Sequence, residues 1–260
     1  MELKKNLIKQ ALRNGQTVFG LNIGVPSPVM VELAAYAGFD FVRIDTSHNA
    51  YDLPTIVNLI RAAEAAGITP MARVDNDPYM IANILEAGAM GLFIPDVSSA
   101  EKAQAVVDAI HFAPLGDRGT YSAARVMRYG RVSSSDYTRW SNEELLIGVQ
   151  IESKTAVDNL EDTLKVEGID LIGSGRGDLS HSLGLTGQTD HPAVLAMEEK
   201  IFETAKSRGK FTSVNLNPTA PNFAEIIASW KKKAQVITLG HDIPFIRKMF
   251  SDAIKTARKS

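Results

Sequence analysis

The sequence of 260 residues contains no cysteine. Disulfide bonds, metal centres with cysteine ligands and a thiolate nucleophile are therefore excluded. The chain also lacks a large excess of either charge, since 28 Lys and Arg residues stand against 30 Asp and Glu residues. A formal net charge of −2 leaves no broad basic surface. We therefore expect no nucleic-acid partner, and we expect any ionic ligand to be small and locally held.

Long hydrophobic runs are also missing. The first residues mix polar and apolar side chains and do not form the continuous apolar segment of a signal peptide. The longest stretch without a charge, residues 14–31, is interrupted by three glycines and two prolines and is too polar to span a bilayer. These features predict a cytoplasmic protein without a membrane partner.

What the sequence does contain is a hydrophobic pattern whose period changes repeatedly. Short runs rich in β-branched residues predict eight strands, at residues 18–24, 39–44, 69–74, 91–95, 145–151, 170–173, 211–216 and 235–239. Longer segments at helical spacing predict eight helices, at residues 29–37, 53–66, 79–87, 100–111, 155–166, 193–207, 220–232 and 244–259. A further helix over about residues 2–14 precedes the first strand.

Eight strand-then-helix units predict a single α/β domain over residues 1–260, folded as a (β/α)₈ barrel. Glycines at helix ends, such as Gly38, Gly67 and Gly88, agree with this division. A doubly wound sheet is the alternative. That fold usually has fewer repeats and a glycine-rich dinucleotide turn after the first strand, which Gly20 and Gly24 do not form.

One connection, residues 113–144, is far longer than the usual few residues between a helix and a strand. It carries five arginines, three tyrosines and a tryptophan. One interpretation is an excursion that caps the barrel or packs on a neighbouring subunit. Another is an active-site cover whose Arg118 or Arg125 contacts an anionic substrate, and the two are compatible.

Polar residues at the predicted strand ends are the candidates for chemistry, because barrel active sites lie at the carboxyl ends of the strands. His48 follows Asp45 by three residues, so a tight turn can bring the carboxylate to one imidazole nitrogen and leave the other for proton transfer. A solvated or helix-capping histidine is the plainer alternative. Arg73 ends an apolar strand and needs an anion, from the protein or from a substrate.

Glu152 and Asp178 follow the predicted fifth and sixth strands and can present two carboxylates to one cavity. Such a pair suits a hard divalent cation that keeps positions for water and substrate, as Mg²⁺ or Mn²⁺ does. Capping of the following helices is the alternative role for both. Lys154 could form a Schiff base, although a solvated charge is the simpler interpretation. Glycines at alternate positions in residues 173–177 allow backbone N–H groups to approach a carboxylate or phosphate.

Together these motifs resemble the HpcH/HpaI aldolase family. The matching segments are GFDF at 38–41 through Asp45 and His48, ARV at 72–74, AGA at 87–89 with Gly91 and Pro95, PLG at 114–116 with Arg118 and Gly119, QIE at 150–152, and GDLS at 177–180. The segments occur in family order over almost the whole chain. The resemblance implies a (β/α)₈ barrel, a homo-oligomer built as a hexamer or trimer of dimers with the last helix exchanged between neighbours, and a class II aldolase that depends on Mg²⁺, Mn²⁺ or Co²⁺.

The resemblance also implies roles for individual residues. By position, Glu152 and Asp178 are metal ligands, His48 with Asp45 is the acid/base pair, and Arg73 stabilises an enolate.

Gln150 would hold the substrate or a metal-bound water, and the Gly177 and Asp178 backbone amides would receive the pyruvate carboxylate.

Two positions depart from the family pattern. Ser47 stands where the family typically has a glutamate before the histidine, and Arg176 follows Gly175 where the family often has Gly-Pro. The extra charge of Arg176 beside the cavity suggests a second carboxylate or a phosphate on the substrate, or a salt bridge with Asp75 or Asp77.

The resemblance implies reversible cleavage of a 4-hydroxy-2-oxo acid to pyruvate, or a related 2-oxo acid, and an aldehyde. Three alternatives stay open. A condensing or decarboxylating relative, similar to citrate synthases or macrophomate synthase, would use the same metal-held enolate and a more cationic mouth, for which Arg118, Arg125 and Arg176 are candidates. A non-catalytic barrel that binds a 2-oxo acid would not need His48. A purely structural oligomer would need none of these residues.

Overall fold

In the computed structural model, which describes residues 3–259, eight parallel strands close into a barrel in chain order, with the last strand paired to the first. The strands are β1 (Val18–Ile23), β2 (Phe41–Asp45), β3 (Thr69–Arg73), β4 (Gly91–Ile94), β5 (Leu146–Ile151), β6 (Leu171–Ser174), β7 (Phe211–Leu216) and β8 (Val236–His241). All eight predicted strands are confirmed to within two residues at each end. The (β/α)₈ barrel is therefore confirmed, and the doubly wound sheet is not the fold of this chain.

Twelve helices lie within the described part of the chain. They are α1 (Leu7–Arg13), α2 (Pro28–Tyr36), α3 (Leu53–Ala66), α4 (Pro78–Ala87), α5 (Ala100–Ile110), α6 (Ser134–Glu144), α7 (Lys154–Asp158), α8 (Leu160–Thr163), α9 (Arg176–Ser182), α10 (Pro192–Ser207), α11 (Phe223–Trp230) and α12 (Asp242–Ala257). Within residues 3–259, none of these helices has both the length and the apolar character that crossing a bilayer requires.

The largest differences from the predicted helices concern the first helix, residues 155–166 and two additional helices, and the predicted helix 220–232 is shorter, at Phe223–Trp230. The first helix begins at Leu7 because the Asn6 side chain caps it by accepting from the amides of Ile8 and Lys9; residue 2 of the predicted helix lies outside the described residues. The predicted helix 155–166 is broken at Asn159, whose backbone leaves the helical region. Helices α6 and α9 are additional, since the sequence pattern showed neither.

Helix α1 closes one end of the barrel. Its Ile8 and Leu12 pack with Phe41, Met71 and other inward-facing residues in an apolar cluster. Burial of large apolar side chains is worth about 1.5–3 kcal/mol each, so this end is a packed core and no route for a ligand. A ligand can therefore enter only at the other end, where the strands finish.

The barrel interior changes from apolar to polar along the strands, and β2 shows this on one face. Phe41, Arg43 and Asp45 are alternate residues, so their side chains point to the same side of the strand. Phe41 lies in the apolar cluster with α1, whereas Arg43 and Asp45 line an open cavity at the carboxyl end.

The excursion of residues 113–144 lies at the closed end, where helices finish and strands begin. Arg118 donates to the carbonyl of Ile110, in the last turn of α5, at 3.1 Å. Arg125 donates to the carbonyl of Ala87, the last residue of α4, at 2.6 Å and pairs with Glu64 near the end of α3. The expectation that Arg118 or Arg125 contacts substrate is thereby corrected, because within one chain both side chains bind helix ends at the opposite end from the strand carboxyl termini.

The close contact between β4 and β5 predicts that a glycine on β4 cannot be replaced by a larger residue. A β-carbon at Gly91 would lie 2.6 Å from the main-chain oxygen of Leu146 on the paired strand β5, and this oxygen cannot rotate away. We expect Gly91→Ala to lower the free energy of unfolding by about 1–3 kcal/mol, measured by urea denaturation. Gly119→Ala is the matched control, since a β-carbon there would meet no heavy atom of residues 3–259 within 4 Å. Equal stabilities of the two variants would contradict the prediction.

Candidate active site

Polar side chains from the carboxyl ends of several strands line one cavity of about 270 Å³. The lining residues predicted from the sequence are Asp45, His48, Arg73, Gln150, Arg176, Gly177 and Asp178. The predicted metal ligand Glu152 lies next to this lining, beside Gly175. The structure thus brings most of the predicted site residues together.

His48 and Asp45 form the hydrogen-bonded pair that their spacing predicts. The Nδ1 atom of His48 lies 3.0 Å from Oδ2 of Asp45, and the His48 amide donates to Oδ1 at 3.3 Å. Burial tends to raise the pKa of Asp45, but the hydrogen bond from His48 and the positive charge of Arg73 outweigh it, and the pKa lies below its usual value. The carboxylate is therefore charged at neutral pH and holds the imidazole in place.

Arg73 completes this group. Its Nη1 lies 2.6 Å from Nδ1 and 3.2 Å from Nε2 of His48, and 3.8 Å from Oδ2 of Asp45. Nδ1 of His48 thus lies close both to a carboxylate, which can only accept, and to a guanidinium, which can only donate. In the tautomer in which Nδ1 donates to Asp45, Nε2 is the ring atom that accepts from Arg73. The Nε atom of Arg73 is enclosed and has no partner among the described residues.

The carboxyl groups of Glu152 and Asp178 lie close together. Oε1 of Glu152 accepts from the Asp96 amide at 2.8 Å, whereas Oε2 is enclosed and has no partner within residues 3–259. Burial, together with the negative charge of Asp178, raises the pKa of Glu152 to about 7. A positive charge between the two groups would remove this repulsion.

The residues present fit a divalent cation. A β-carbon at Gly175 would lie 2.6 Å from Oε2 of Glu152, so the glycine keeps the space beside this oxygen open. In the described part of the chain no group of three His, Cys, Asp or Glu residues is arranged to hold a metal. Two carboxylates without a third protein ligand suit Mg²⁺ and similar cations, which retain water and bind substrate oxygens.

The expected partners of Arg176 are wrong. This side chain pairs with Glu198 at 2.6 Å and with Asp190 at 3.2 Å, not with Asp75 or Asp77. Asp75 instead accepts from Ser47 at 2.8 Å.

Asp77 caps α4 by accepting from the Tyr79 amide at 2.9 Å. Lys154 pairs with Asp158 in the exposed first turn of α7 and does not line the cavity, in agreement with the solvated alternative.

The amides of Gly177 and Asp178 lie in the first turn of α9, next to the cavity. No side chain of the described residues caps this helix at Gly175. First-turn N–H groups are unused donors within a helix, so these amides are suited to an anionic oxygen.

The lining residues that the sequence analysis missed include Asn22, Arg43, Asn215 and His241. One signal for Arg43 was available, because a charged residue two positions before Asp45 in an otherwise apolar strand must share the face of Asp45. The other three lie on β1, β7 and β8, and the predicted site had not assigned any residue to those strands.

The chain is similar to known proteins over most of its length. The sequence profile described as HpcH/HpaI aldolase/citrate lyase matches residues 19–243. The chain is 37% identical over 211 residues to a pyruvate aldolase of Rhizobium etli, covering 81% of this chain and 82% of the relative. It is 34% identical over 254 residues to the 2-keto-3-deoxy-L-rhamnonate aldolase of Escherichia coli K12, covering 97% and 91% of the two chains.

Solved structures show the same similarity. An HpcH/HpaI aldolase from Desulfitobacterium hafniense superposes with a TM-score of 0.91 at 30% identity, covering 99% of this chain and 98% of the other. The citrate synthase SbnG superposes with a TM-score of 0.86 at 33% identity, covering 96% and 97%.

The placement of Arg118 predicts a role in stability. Its buried guanidinium donates to the Ile110 carbonyl and to the Tyr137 hydroxyl and packs 4.2 Å from the Phe112 ring centroid. We expect Arg118→Met to lower the free energy of unfolding by about 2–4 kcal/mol, because two buried groups lose their partner. Urea denaturation measures this, with the exposed Arg61 as the site of a matched Arg61→Met control. If Arg118→Met instead had normal stability and bound substrate more weakly, the prediction would be wrong and Arg118 would belong to the substrate site.

Proposed function

The chain belongs to the HpcH/HpaI aldolase/citrate lyase family, and from this premise we propose that it is a carbon–carbon lyase of the class II aldolase type. The reaction is reversible cleavage of a 4-hydroxy-2-oxo acid to pyruvate, or a related 2-oxo acid, and an aldehyde. The observation that carries the proposal is the unpartnered Oε2 of Glu152 beside Asp178, in a cavity that Arg73 and the His48–Asp45 pair also line.

Glu152 and Asp178 would hold the cation, with Mg²⁺, Mn²⁺ and Co²⁺ as candidates. When bound, a divalent cation supplies stabilisation of the negative charge that develops on the 2-oxo oxygen as the carbon–carbon bond breaks. Arg73 provides further N–H donors for the same charge, because its guanidinium is held at the cavity by His48 and is only 11% exposed.

His48 is the proton acceptor in this proposal. In the proposed tautomer Nδ1 donates to Asp45, which leaves the lone pair on Nε2, 3.2 Å from Nη1 of Arg73. When substrate oxygens draw Arg73 to themselves, Nε2 is released to take the proton of the C4 hydroxyl. A positioned acid/base group contributes on the order of 10²–10⁴ in rate.

Backbone N–H groups and one side-chain amide orient the substrate in this proposal. The Gly177 and Asp178 amides at the start of α9 bind the carboxylate of the 2-oxo acid, and the side chain of Gln150 binds a substrate oxygen or a water. Gln150 is 8% exposed and lines the cavity, so its amide loses little freedom on binding.

A condensing enzyme is the second candidate. The chain is 33% identical to the citrate synthase SbnG over almost its whole length. A condensing enzyme would use the same carboxylate pair and Arg73, and it would differ in the second substrate. A non-catalytic barrel that binds a 2-oxo acid would show no proton exchange on the bound acid.

We also propose that the protein forms a homo-oligomer. We propose the cytoplasm as its location, and this second proposal rests on the sequence alone. On α12, Met249 and Phe250 are 69% and 70% exposed. An apolar helix face of this kind supports contact with a neighbouring subunit.

Removal of the cation tests the carboxylate pair. Pyruvate incubated with the protein in D₂O should exchange its methyl protons, measured by NMR. Treatment with excess chelator should abolish the exchange, and Mg²⁺, Mn²⁺ or Co²⁺ should restore it, because the developing charge has lost its main partner. Glu152→Gln should resist restoration, whereas Glu161→Gln, at an exposed ion pair with Arg208, should behave as the parent. Full exchange after rigorous metal removal would contradict the role of the Glu152–Asp178 pair in holding a cation.

Substitution of His48 and Arg73 tests the proton transfer. We expect His48→Gln and Arg73→Met each to lower the rate of aldol cleavage by a factor on the order of 10²–10⁴, measured by pyruvate release. The melting temperature of His48→Gln should change little, because the His48 side chain is 62% exposed. His181→Gln, on the exposed side of α9, is the matched control. An unchanged turnover number in either active-site variant would remove that residue from the mechanism.

A further inference from the structure

We propose that Arg43, Asn215 and His241 form a second anion-binding subsite in the cavity, which holds a carboxylate of the electrophilic second substrate. This inference rests on the proposed function, since it concerns the compound that reacts with the 2-oxo acid. It assigns that compound to a chemical class: a short aldehyde or ketone that carries a carboxylate.

The subsite lies on the strands that face the carboxylate pair across the barrel. Asn22 on β1 pairs with Arg43 on β2 in one direction and with His241 on β8 in the other. Glu152 follows β5, which is opposite β1 in a ring of eight strands. A molecule held at β8, β1 and β2 would therefore face a 2-oxo acid held near β5 and β6.

Arg43 is a buried cation without a carboxylate partner in the described part of the chain. The residue is 6% exposed. Its Nε donates to Oδ1 of Asn22 at 2.8 Å, and its Nη2 donates to Oγ1 of Thr238 at 3.0 Å. Among residues 3–259, no Asp or Glu forms a salt bridge with Arg43 and no acceptor is bonded to Nη1.

An unpaired buried guanidinium is costly. Burial, followed by the charge of Arg73, lowers the pKa of Arg43 to about 10, and the negative charge of Asp45 offsets these two effects only in part. The ring of Phe93 packs 4.6 Å from the guanidinium and fixes its plane. A bound anion would supply the missing charge.

The hydrogen-bond network leaves one unused donor group on each of Arg43, Asn215 and His241. Because Nε of Arg43 must donate to Oδ1 of Asn22, the Nδ2 group of Asn22 faces Nε2 of His241 at 3.2 Å. Nε2 therefore accepts, and the proton of His241 lies on Nδ1. The Asn215 Oδ1 atom accepts from the Gly240 amide at 3.2 Å, so the Nδ2 group of Asn215 is the remaining donor of that side chain.

The unused groups are thus Nη1 of Arg43, Nδ2 of Asn215 and Nδ1 of His241, on three residues that line one cavity. None of the three is an acceptor. A carboxylate accepts only, and its two oxygens match a guanidinium edge. A neutral hydroxyl or aldehyde hydrate would leave the charge of Arg43 uncompensated.

The other two arginines of the cavity already pair with acidic residues and are less available to a second carboxylate. Arg176 is neutralised by Glu198 and Asp190, so the second carboxylate that the sequence suggested for Arg176 belongs at Arg43 instead. Arg73 is engaged with the His48–Asp45 pair. The cavity volume of about 270 Å³ limits the second substrate to a few carbons beside a 2-oxo acid.

The test compares acceptors that differ in charge. With pyruvate as donor, kcat/KM is measured for glyoxylate and 4-oxobutanoate against the neutral glycolaldehyde and butanal of equal chain length. We expect the parent protein to prefer the anionic member of at least one pair, and Arg43→Met to lower that preference by a factor on the order of 10². Asn215→Asp, at an exposed position that should fold normally, should lower it about tenfold through repulsion. Arg61→Met is the control and should keep the parent preference.

Two further measurements distinguish failure of the proposed function from failure of the proposed subsite. Methyl exchange of pyruvate in D₂O needs no second substrate, so its absence in the parent protein would overturn the proposed function. Titration with butyrate against butyramide, followed by NMR, needs no turnover; weaker butyrate binding in Arg43→Met and Asn215→Asp would support the subsite in either case. An anionic preference unchanged in both variants would overturn the subsite. Selection of glycolaldehyde phosphate over both carboxylated aldehydes would overturn the assignment to a carboxylate.

Discussion

Repulsion between two carboxylates is the constraint on which the rest of the site depends. Glu152 and Asp178 are held near each other by β5 and by the start of α9, and the pKa of Glu152 rises to about 7 through burial and the charge of its neighbour. An enclosed oxygen without a partner among residues 3–259 costs about 1–3 kcal/mol. The pairing of β5 with β6 fixes the main chain from which both acidic residues follow, and the barrel thereby keeps the two residues near each other. A divalent cation is the species that removes both penalties.

Stability and chemistry are divided between the two ends of the barrel. At the closed end, α1 and the excursion of residues 113–144 bury apolar and aromatic groups, such as Phe112 against Tyr137 with ring centroids 5.5 Å apart. At the open end, the strands hold buried polar groups that lack some of their hydrogen-bond or charge partners. The apolar packing at the closed end contributes stability to a fold in which Arg43, Arg73 and Glu152 are incompletely paired at the other end.

The strands and the local pairs were accessible from the sequence, whereas contacts between distant segments were not. All eight strands follow from short β-branched runs, and the Asp45–His48 pair needs only a turn of three residues. Arg118 and Arg125 were misassigned because their partners on α5, α3 and α4 are set by the path of a long connection, which carries no periodic signal. The Arg176–Glu198 pair spans 22 residues and depends on the packing of α10 against β6, which no local pattern encodes.

Three guanidinium groups line one small cavity, and the way each is compensated explains what the cavity can accept. Arg176 has two acidic partners and contributes no net charge. Arg73 shares the charge of Asp45 with His48, so it is held in place but keeps donors for a substrate oxygen. Within the described chain, Arg43 has only neutral partners, namely Asn22, Thr238 and a phenylalanine ring. The two sides of the cavity therefore carry opposite charge. The acidic pair near β5 and β6 lacks a cation, and the wall of β8, β1 and β2 lacks an anion. A cation on one side and a carboxylated substrate on the other would satisfy both, because neither side can neutralise the other across the barrel.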